Sequence, residues 1–200
     1  TDDLIETYEN CNKLMPLLHL PVQSGSSKIL KSMNRKHSIE EYLNIIEKLK
    51  KKRPAIKFSS DFIVGYPGET EDDFDSTIKL VKKIQYINSY SFIFSSRPGT
   101  TVSEIGEIDS EIAKKRLKIF QKISEKIKNS YREGLVNKEL EVLFENKMSN
   151  QEKYFGRDEY GDPVIVESKT NLTGKKLNVK IKNFNQGSLF GEIIFDKKNE

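Results

Sequence analysis

The sequence predicts a chain in two parts, with parallel βαβ architecture first and a small all-β barrel after it. Short apolar runs alternate with amphipathic helical patterns as far as about Glu133, an order typical of parallel α/β sheets and barrels. After Gly134, five short β-rich segments follow one another with turn residues between them. Such a series predicts an OB-like barrel.

Composition narrows the class of protein. The 34 lysines and arginines exceed the 30 acids, and the resulting net charge of +4 permits contact with nucleic acid without requiring it. No apolar run approaches the roughly 18 residues of a bilayer-spanning helix, and the first residues do not resemble a secretion signal. We therefore expect a cytoplasmic monomer with no membrane partner. Because the chain starts without methionine inside a helical pattern, we expect it to be a fragment of a longer protein.

The first elements are a helix and a buried strand. Residues 1–15 have a helical pattern, and the apolar run 17–22 predicts the strand. His19 lies in the middle of this run with no partner in view. We expect it to be a core histidine whose hydrogen bonds are satisfied.

A polar loop follows this strand and leads into two helices. Gln23, Ser24 and Ser26 lie in the loop, at the carboxyl end of the strand. We expect them to face a ligand, with turn formation and helix capping as the alternative role of the two serines. Ser38 and Glu41 then form a capping-box pattern that begins the next helix.

The central unit is a strand, a glycine turn and a helix. Phe58 to Val64 predicts a strand buried on both faces, and Gly65 begins the turn. Thr70 and Asp73 form a second capping-box pattern. Acidic residues surround this helix start, so a bound phosphate would meet like charge, and we exclude a phosphate-binding loop. A carboxylate such as Glu69 suits a ligand with hydroxyl or ammonium donors instead.

A third strand covers residues 89–95, and Arg97 follows it in a turn-rich exit. Ligands of α/β sheets and barrels bind at the carboxyl ends of the strands. The three exits therefore bring Gln23, the segment from Gly65 to Glu69, and Arg97 to one edge. An arginine there can bind a carboxylate or a phosphate with two parallel hydrogen bonds.

A long amphipathic helix over 109–133 carries a run of positive charge. Eight lysines and arginines face two acids between Glu111 and Arg132, which makes this segment +6. We expect the run to be a solvated helix face. Its basic residues are Lys114, Lys115, Arg116, Lys118, Lys122, Lys126, Lys128 and Arg132.

The predicted barrel is basic and has aromatic residues among its lysines. Small barrels of this kind often bind nucleic acid on one face, and a solvated surface is the alternative. Tyr154, Tyr160 and Phe184 lie near the basic residues in sequence. The candidate RNA-binding residues are Arg157, Lys169, Lys175, Lys176, Lys180 and Lys182.

Four motifs in this order resemble the radical S-adenosylmethionine methylthiotransferases. The motifs are Leu20-Pro21-Val22-Gln23-Ser24-Gly25-Ser26, Met33-Asn34-Arg35, Asp61-Phe62-Ile63-Val64-Gly65-Tyr66-Pro67-Gly68-Glu69-Thr70, and Tyr90-Ser91-Phe92 with Ser96-Arg97-Pro98-Gly99-Thr100. The resemblance covers essentially the whole chain. It implies the distal portion of a radical SAM partial (βα) barrel over residues 1–134 and a TRAM domain over 135–198.

The resemblance also implies a cofactor site for S-adenosylmethionine. Gln23, Ser24 and Ser26 match the strand exit that approaches the ribose. Ile63, Val64 and Gly65 match the strand that packs against the adenine, and Arg97 joins them at the common edge. In the GxIxGxxE pattern of the superfamily, Asp61 replaces the first glycine and Glu69 falls one residue late. With this shift by one residue, the resemblance implies Glu69 as a further cofactor-binding residue.

The family reaction needs two [4Fe-4S] clusters, whose ligands are cysteines. The single Cys11 cannot replace them, so we expect the cluster ligands to lie outside this chain, upstream of Thr1. By resemblance, the intact enzyme abstracts hydrogen from C2 of N6-isopentenyladenosine beside the tRNA anticodon and transfers a methylated sulfur to it. The partners implied are the anticodon stem-loop, held by the TRAM domain, and a sulfur donor.

The sequence is also compatible with two other functions. One is the related enzyme that methylthiolates an aspartate of a ribosomal protein. Arg97 argues against it, because that branch tends to carry an acid there, and the basic barrel favours RNA over protein. The other is a cluster-free RNA-binding paralogue that uses only its TRAM barrel.

Overall fold

The computed structural model describes residues 2–96, Gly106 and residues 108–194, and the chain divides into two compact units. The first unit runs to Lys128, apart from Met15–Leu17, and the second unit holds Met15–Leu17 and the residues from Asn129 onward. The domain bounds expected above, 1–134 and 135–198, stay a prediction. Among the residues described, no helix is long and apolar enough to cross a membrane.

The first unit is built on a three-stranded sheet in the order β1-β2-β3. β2 and β3 are parallel, with Asp61 opposite Tyr90 and Ile63 opposite Phe92. The strands are β1 (Leu17–His19), β2 (Lys57–Val64) and β3 (Asn88–Ile93), and the helices are α1 (Asp2–Asn10), α2 (Ser27–Ser32), α3 (Ile39–Lys52), α4 (Glu71–Ile84) and α5 (Ser110–Glu133). Leu17 of β1 and the end of α5 from Asn129 onward count with the second unit.

Both predicted capping boxes are confirmed. Ser38 and Glu41 begin α3, and Thr70 and Asp73 begin α4, with both reciprocal hydrogen bonds present in each box. Each box satisfies two backbone N–H groups that a helix start would otherwise leave unpaired.

The core of the first unit lies between β2 and the helices. Phe58, Phe62 and Val64 alternate along β2 and are buried. The ring of Phe62 packs 4.7 Å from that of Phe120 on α5 and 5.5 Å from that of Tyr86. This alternation places Asp61 and Ile63 on the opposite face of the sheet.

The second unit is a closed five-stranded barrel in the order β4-β5-β6-β8-β7, which confirms the predicted barrel. β8 lies between β6 and β7, parallel to β6 and antiparallel to β7. Alternate residues of the strands, such as Val142, Phe144, Val179 and Ile181, fill the interior and are fully buried. The strands are β4 (Glu139–Lys147), β5 (Lys153–Asp158), β6 (Pro163–Glu167), β7 (Lys176–Phe184) and β8 (Leu189–Ile193).

Arg132 is the largest fully buried side chain of the second unit. Its Nε donates to Asp162 Oδ2 at 2.8 Å, and its Nη2 donates to Asp162 Oδ1. Its Nη1 donates to the carbonyl oxygens of Asn185 at 2.9 Å and Gln186 at 2.8 Å. The expectation of a solvated basic face is therefore wrong at Arg132, because a carboxylate and three backbone carbonyls take the hydrogen bonds that water would otherwise accept.

Asp162→Asn should lower the free energy of unfolding of the 200-residue chain by about 3 kcal/mol, because it leaves a buried guanidinium without its counterion. The matched control is Glu192→Gln, which breaks an exposed pair with Lys182 in the same barrel. The control should cost less than about 1 kcal/mol. Urea unfolding of both variants measures the difference, and equal losses would contradict the assignment.

Asp158 is a second buried carboxylate of the barrel, 5% exposed. Its Oδ1 accepts hydrogen bonds from Tyr160 N at 2.9 Å and Asp162 N at 2.8 Å, while its Oδ2 is buried without a partner among the described residues. Burial raises the pKa of Asp158 to about 6, and the neighbouring Asp162 carboxylate adds to the rise.

Asp158→Asn should stabilise the chain more at pH 7.5 than at pH 4.5. The folded pKa is raised, so the group stabilises the fold below the unfolded pKa of 3.8, and this stability is lost as pH rises through about 6. The asparagine variant does not lose this stability. Its free energy of unfolding relative to that of the unsubstituted chain should therefore rise by about 2 kcal/mol from pH 4.5 to pH 7.5. Urea unfolding at both pH values tests this; parallel pH profiles for the two proteins would refute it.

Candidate functional site

The structure brings the exits of β1 and β2 together. Gln23 has a φ of 75° and forms an isolated parallel bridge with Phe62. Its N–H donates to Asp61 O at 3.0 Å, and its carbonyl accepts from Ile63 N at 2.9 Å. Gln23 is thereby held beside Ile63, as the predicted common edge requires. Gln23 is 8% exposed, and Val64, which points to the other face of β2, is fully buried in the core.

Ser24 and Ser26 are buried against α4. Ser26 Oγ caps α2 and donates to Asp73 Oδ1 at 2.7 Å, and Ser24 Oγ lies 3.4 Å from Thr77 Oγ1. The loop touches the helix so closely that a Cβ on Gly25 would lie 2.4 Å from Thr77 Cα. The two serines therefore have the capping and turn role given above as the alternative. Their contact with a cofactor stays a prediction.

Asp73 binds groups from both exit loops. Besides Ser26, its carboxylate accepts from Thr70 N at 3.0 Å and from Lys28 Nζ at 2.9 Å. Lys28 also donates to Gly68 O at 3.2 Å. Burial by itself would raise the pKa of Asp73, but these donors together, with the Lys28 ammonium first among them, hold it well below its usual value.

Glu69 closes the glycine turn after β2. Its Oε2 accepts from Gly65 N at 2.9 Å and from Arg116 Nη1 at 2.7 Å, and Arg116 Nη1 also donates to Glu69 O at 3.0 Å. Gly65 has a φ of 69°, and a Cβ there would lie 2.7 Å from Ala113 Cβ, so glycine is required. The Glu69 side chain thus supports the turn. Its direct contact with a cofactor stays a prediction.

The Glu69–Arg116 pair is buried, with 1% of the glutamate and 7% of the arginine side chain exposed. Burial raises the pKa of Glu69, against the effect of Gly65 N–H and Arg116. Two atoms of the pair, Glu69 Oε1 and Arg116 Nε, are buried without a hydrogen bond among the described residues. Arg116 also reaches the exposed Glu71 at 3.2 Å.

The sequence reasoning missed both buried arginines of the predicted solvated run. Arg116 and Arg132 are the two arginines among its eight basic residues. Arginine is favoured over lysine in buried ion pairs because its planar guanidinium binds carboxylates with two hydrogen bonds. The occurrence of an arginine within a lysine-rich run was therefore the sequence feature that could have indicated a buried ion pair.

The prediction of a core histidine at His19 is wrong. Its side chain is 44% exposed, and its Nε2 lies 3.4 Å from Asp61 Oδ2. Its Nδ1 lies 2.9 Å from Ser59 Oγ. These partners place His19 on the face of the sheet opposite Phe62, where it remains open to solvent.

Two further predictions concern Arg97 and the iron-sulfur clusters. Arg97 lies outside the described residues. The one cysteine, Cys11, cannot supply the thiolates of an iron-sulfur cluster, and no group of three potential metal ligands occurs among the described residues. The residues present therefore do not fit a cluster.

The six basic residues predicted on the barrel differ in how they meet acidic residues. Three have exposed ion pairs: Arg157 with Glu145 at 3.1 Å, Lys176 with Glu141 at 2.5 Å and Lys182 with Glu192 at 2.9 Å. Lys180 lies opposite Glu139 on β4 and Glu192 on β8. Lys169 and Lys175 are exposed in the loop between β6 and β7 and have no ion pair among the described residues.

The aromatic residues near these cations differ in exposure. Tyr154 is 4% exposed and belongs to the barrel core, so it cannot stack on a base. Tyr160 and Phe184 are half-buried. Phe155, the neighbour of Tyr154, alternates to the outer face, where the Arg157 guanidinium lies 5.1 Å from its ring.

Glu69→Gln should lower the free energy of unfolding of the chain by about 3 kcal/mol, because Arg116 would remain as a buried cation without its main counterion. Glu71→Gln is the matched control, because it removes the exposed partner of the same guanidinium. The control should cost less than about 1 kcal/mol. Adding Arg116→Met to Glu69→Gln should restore part of the loss. Urea unfolding measures all three variants, and an equal loss from the two glutamines would refute the role of the buried pair.

Comparison with known proteins matches both parts of the chain. Residues 1–81 match the Radical SAM superfamily, and residues 134–194 match the TRAM domain. A relative from Pelagibacter ubique (strain HTCC1062) is 52% identical over 100% of this chain and 45% of its own length. Relatives from Wolbachia pipientis wMel and Ruegeria sp. (strain TM1040) are 46% and 42% identical, over 90% and 96% of this chain and 42% and 44% of their own lengths.

All three relatives are named tRNA-2-methylthio-N(6)-dimethylallyladenosine synthase. The chain spans less than half the length of these curated relatives. The Radical SAM and TRAM matches occur in the order that the four motifs indicated. The chain therefore belongs to the radical SAM methylthiotransferase family.

Proposed function

We propose that this chain is part of a tRNA methylthiotransferase that adds a methylthio group to C2 of N6-dimethylallyladenosine beside the anticodon. The observation that carries the proposal is the 52% identity, over the whole chain, to a relative named for this reaction. The names of the relatives favour tRNA over a ribosomal protein as the substrate.

The first unit is the distal portion of a partial (βα) barrel and supplies part of a cofactor pocket. S-adenosylmethionine, when bound, supplies the radical chemistry that breaks a C–H bond of the substrate. Gln23 and Ile63 lie side by side at the strand ends, and Gly65 begins the turn that follows β2. Ser24, Ser26 and Glu69 hold these loops from behind, and Val64 fixes the end of β2. Arg97, which follows β3 in the sequence and lies outside the described residues, is the remaining residue of the proposed set.

The second unit binds the anticodon stem-loop through its basic surface. Contacts with phosphates orient an RNA without reading its sequence, which suits a domain that delivers tRNA to a separate active site. Two [4Fe-4S] clusters, with ligands outside this chain, and a sulfur donor complete the reaction. The protein acts in the cytoplasm as a monomer.

The direct test is to express the complete coding region in a host that lacks the methylthio modification, and to analyse tRNA nucleosides by mass spectrometry. The methylthio derivative of N6-dimethylallyladenosine should accumulate, and the 200-residue chain alone should produce none. A cluster-loaded protein that leaves tRNA unmodified, or that modifies a ribosomal protein instead, would overturn the proposal.

The loop lysines should contribute more to RNA binding than the paired lysines. Lys169→Gln with Lys175→Gln should weaken binding of the anticodon stem-loop and reduce the slope of log K against log salt by about 1.5, because each phosphate contact contributes about 0.7 to 0.9. Lys176→Gln with Lys182→Gln removes the same charge from residues that already face Glu141 and Glu192. This control should change the slope less. A larger change in the control would place the RNA on the outer face of β7.

A further inference from the structure

The face of the three-stranded sheet opposite Phe62 carries a polar cluster of His19, Ser59 and Asp61. Ser59 and Asp61 contact the two ring nitrogens of His19, at 2.9 and 3.4 Å. The Asp61 side chain is 31% exposed, and its second oxygen, Oδ1, has no hydrogen bond among the described residues. Asp61 is therefore a carboxylate that its neighbours orient and that can still accept a hydrogen bond.

Two exposed aromatic rings adjoin this cluster. Tyr90 is 55% exposed and Phe92 is 58% exposed, unusual values for large apolar side chains in a parallel strand. Tyr90 is the register partner of Asp61 and meets the His19 ring edge-on at 6.2 Å, and Phe92 is the register partner of Ile63. Both rings also line a groove of about 400 Å³ between β3 and α5, a size typical of small-molecule sites, although His19 and Asp61 do not line it.

The face thus combines an oriented carboxylate oxygen with an apolar aromatic surface. A phosphate is a poor match for it, because the carboxylate would repel it. The matching ligand has a nitrogen or oxygen donor directly beside an apolar group. An adenine alkylated at N6 has one N–H donor and a branched hydrocarbon on the same nitrogen.

We infer that this face, defined by His19, Asp61, Tyr90 and Phe92, recognises the N6-alkylated adenine of the RNA substrate. Asp61 accepts the N6–H, and the rings of Tyr90 and Phe92 pack against the dimethylallyl group. His19, held by Ser59, keeps Asp61 in position. The inference rests on the proposed function and deepens it by naming the residues that distinguish the alkylated base from plain adenosine.

The test uses the complete protein and two anticodon stem-loop RNAs that differ only in the N6-dimethylallyl group. The unsubstituted protein should bind the alkylated RNA at least about tenfold more tightly, since a hydrophobic pocket discriminates by about this factor for a small alkyl difference. Tyr90→Ala and Phe92→Ala should each remove most of this preference and leave the affinity for plain RNA within about twofold. Ile45→Ala, at an exposed apolar residue of α3, is the matched control and should retain the preference.

Further variants separate the role of each group. Asp61→Ala should weaken binding of both RNAs, because both bases have an N6–H donor, and Tyr90→Phe should retain the preference because the ring remains. If an alanine variant fails to show a cooperative urea transition, Phe92→Leu replaces it and should reduce the preference by about threefold. Affinity for S-adenosylmethionine is measured in parallel and should not change.

The outcomes also separate this inference from the proposed function. Folded alanine variants that keep the preference, or that lose affinity for S-adenosylmethionine instead, overturn the inference while the unsubstituted protein still modifies tRNA. An unsubstituted protein that shows no preference also overturns it. If that protein additionally makes no methylthio product, the proposed function fails as well.

Discussion

The carboxylate of Asp73 is the interaction on which the candidate site depends most. It belongs to the capping box of α4, and it also binds Ser26, the cap of α2, and Lys28. A single charged group therefore fixes the start of two helices and the loops that precede them. Charge-assisted hydrogen bonds of this kind are shorter and stronger than neutral ones, which suits a group with several donors.

Glu69 has the equivalent role one turn earlier in the chain. It holds Gly65 N–H from behind the loop, and Arg116 on α5 neutralises it. Together the two carboxylates bind their loops from the helix side. The side chains of Ser24, Ser26 and Glu69 are therefore engaged with protein, and the proposed cofactor would lie beside Gln23 and Ile63 at the strand ends.

Local patterns predicted most of the fold. The pairs Ser38/Glu41 and Thr70/Asp73 are visible within four residues, and the period of the apolar residues separated the helices from the barrel strands. The order of strands within the closed barrel depends on closure and does not follow from such patterns.

The site was less accessible to sequence reasoning, because its chemistry depends on distant pairs. Arg116 meets Glu69 only when α5 packs against the turn after β2, and the glutamates opposite Lys180 come from two other strands. His19 was misplaced because a three-residue strand contains too little alternation to show which face each side chain occupies. In each case the partner, and not the residue type, decides the role.

The position of β8 between β6 and β7 has a consequence for folding during synthesis. The ribosome makes β8 last of the five strands, and until it emerges both β6 and β7 have an open edge. Open edges invite pairing with other chains, so the nascent barrel is exposed to misassembly until its final strand is inserted. Closure of this barrel is therefore a late event that completes two strand pairings at once.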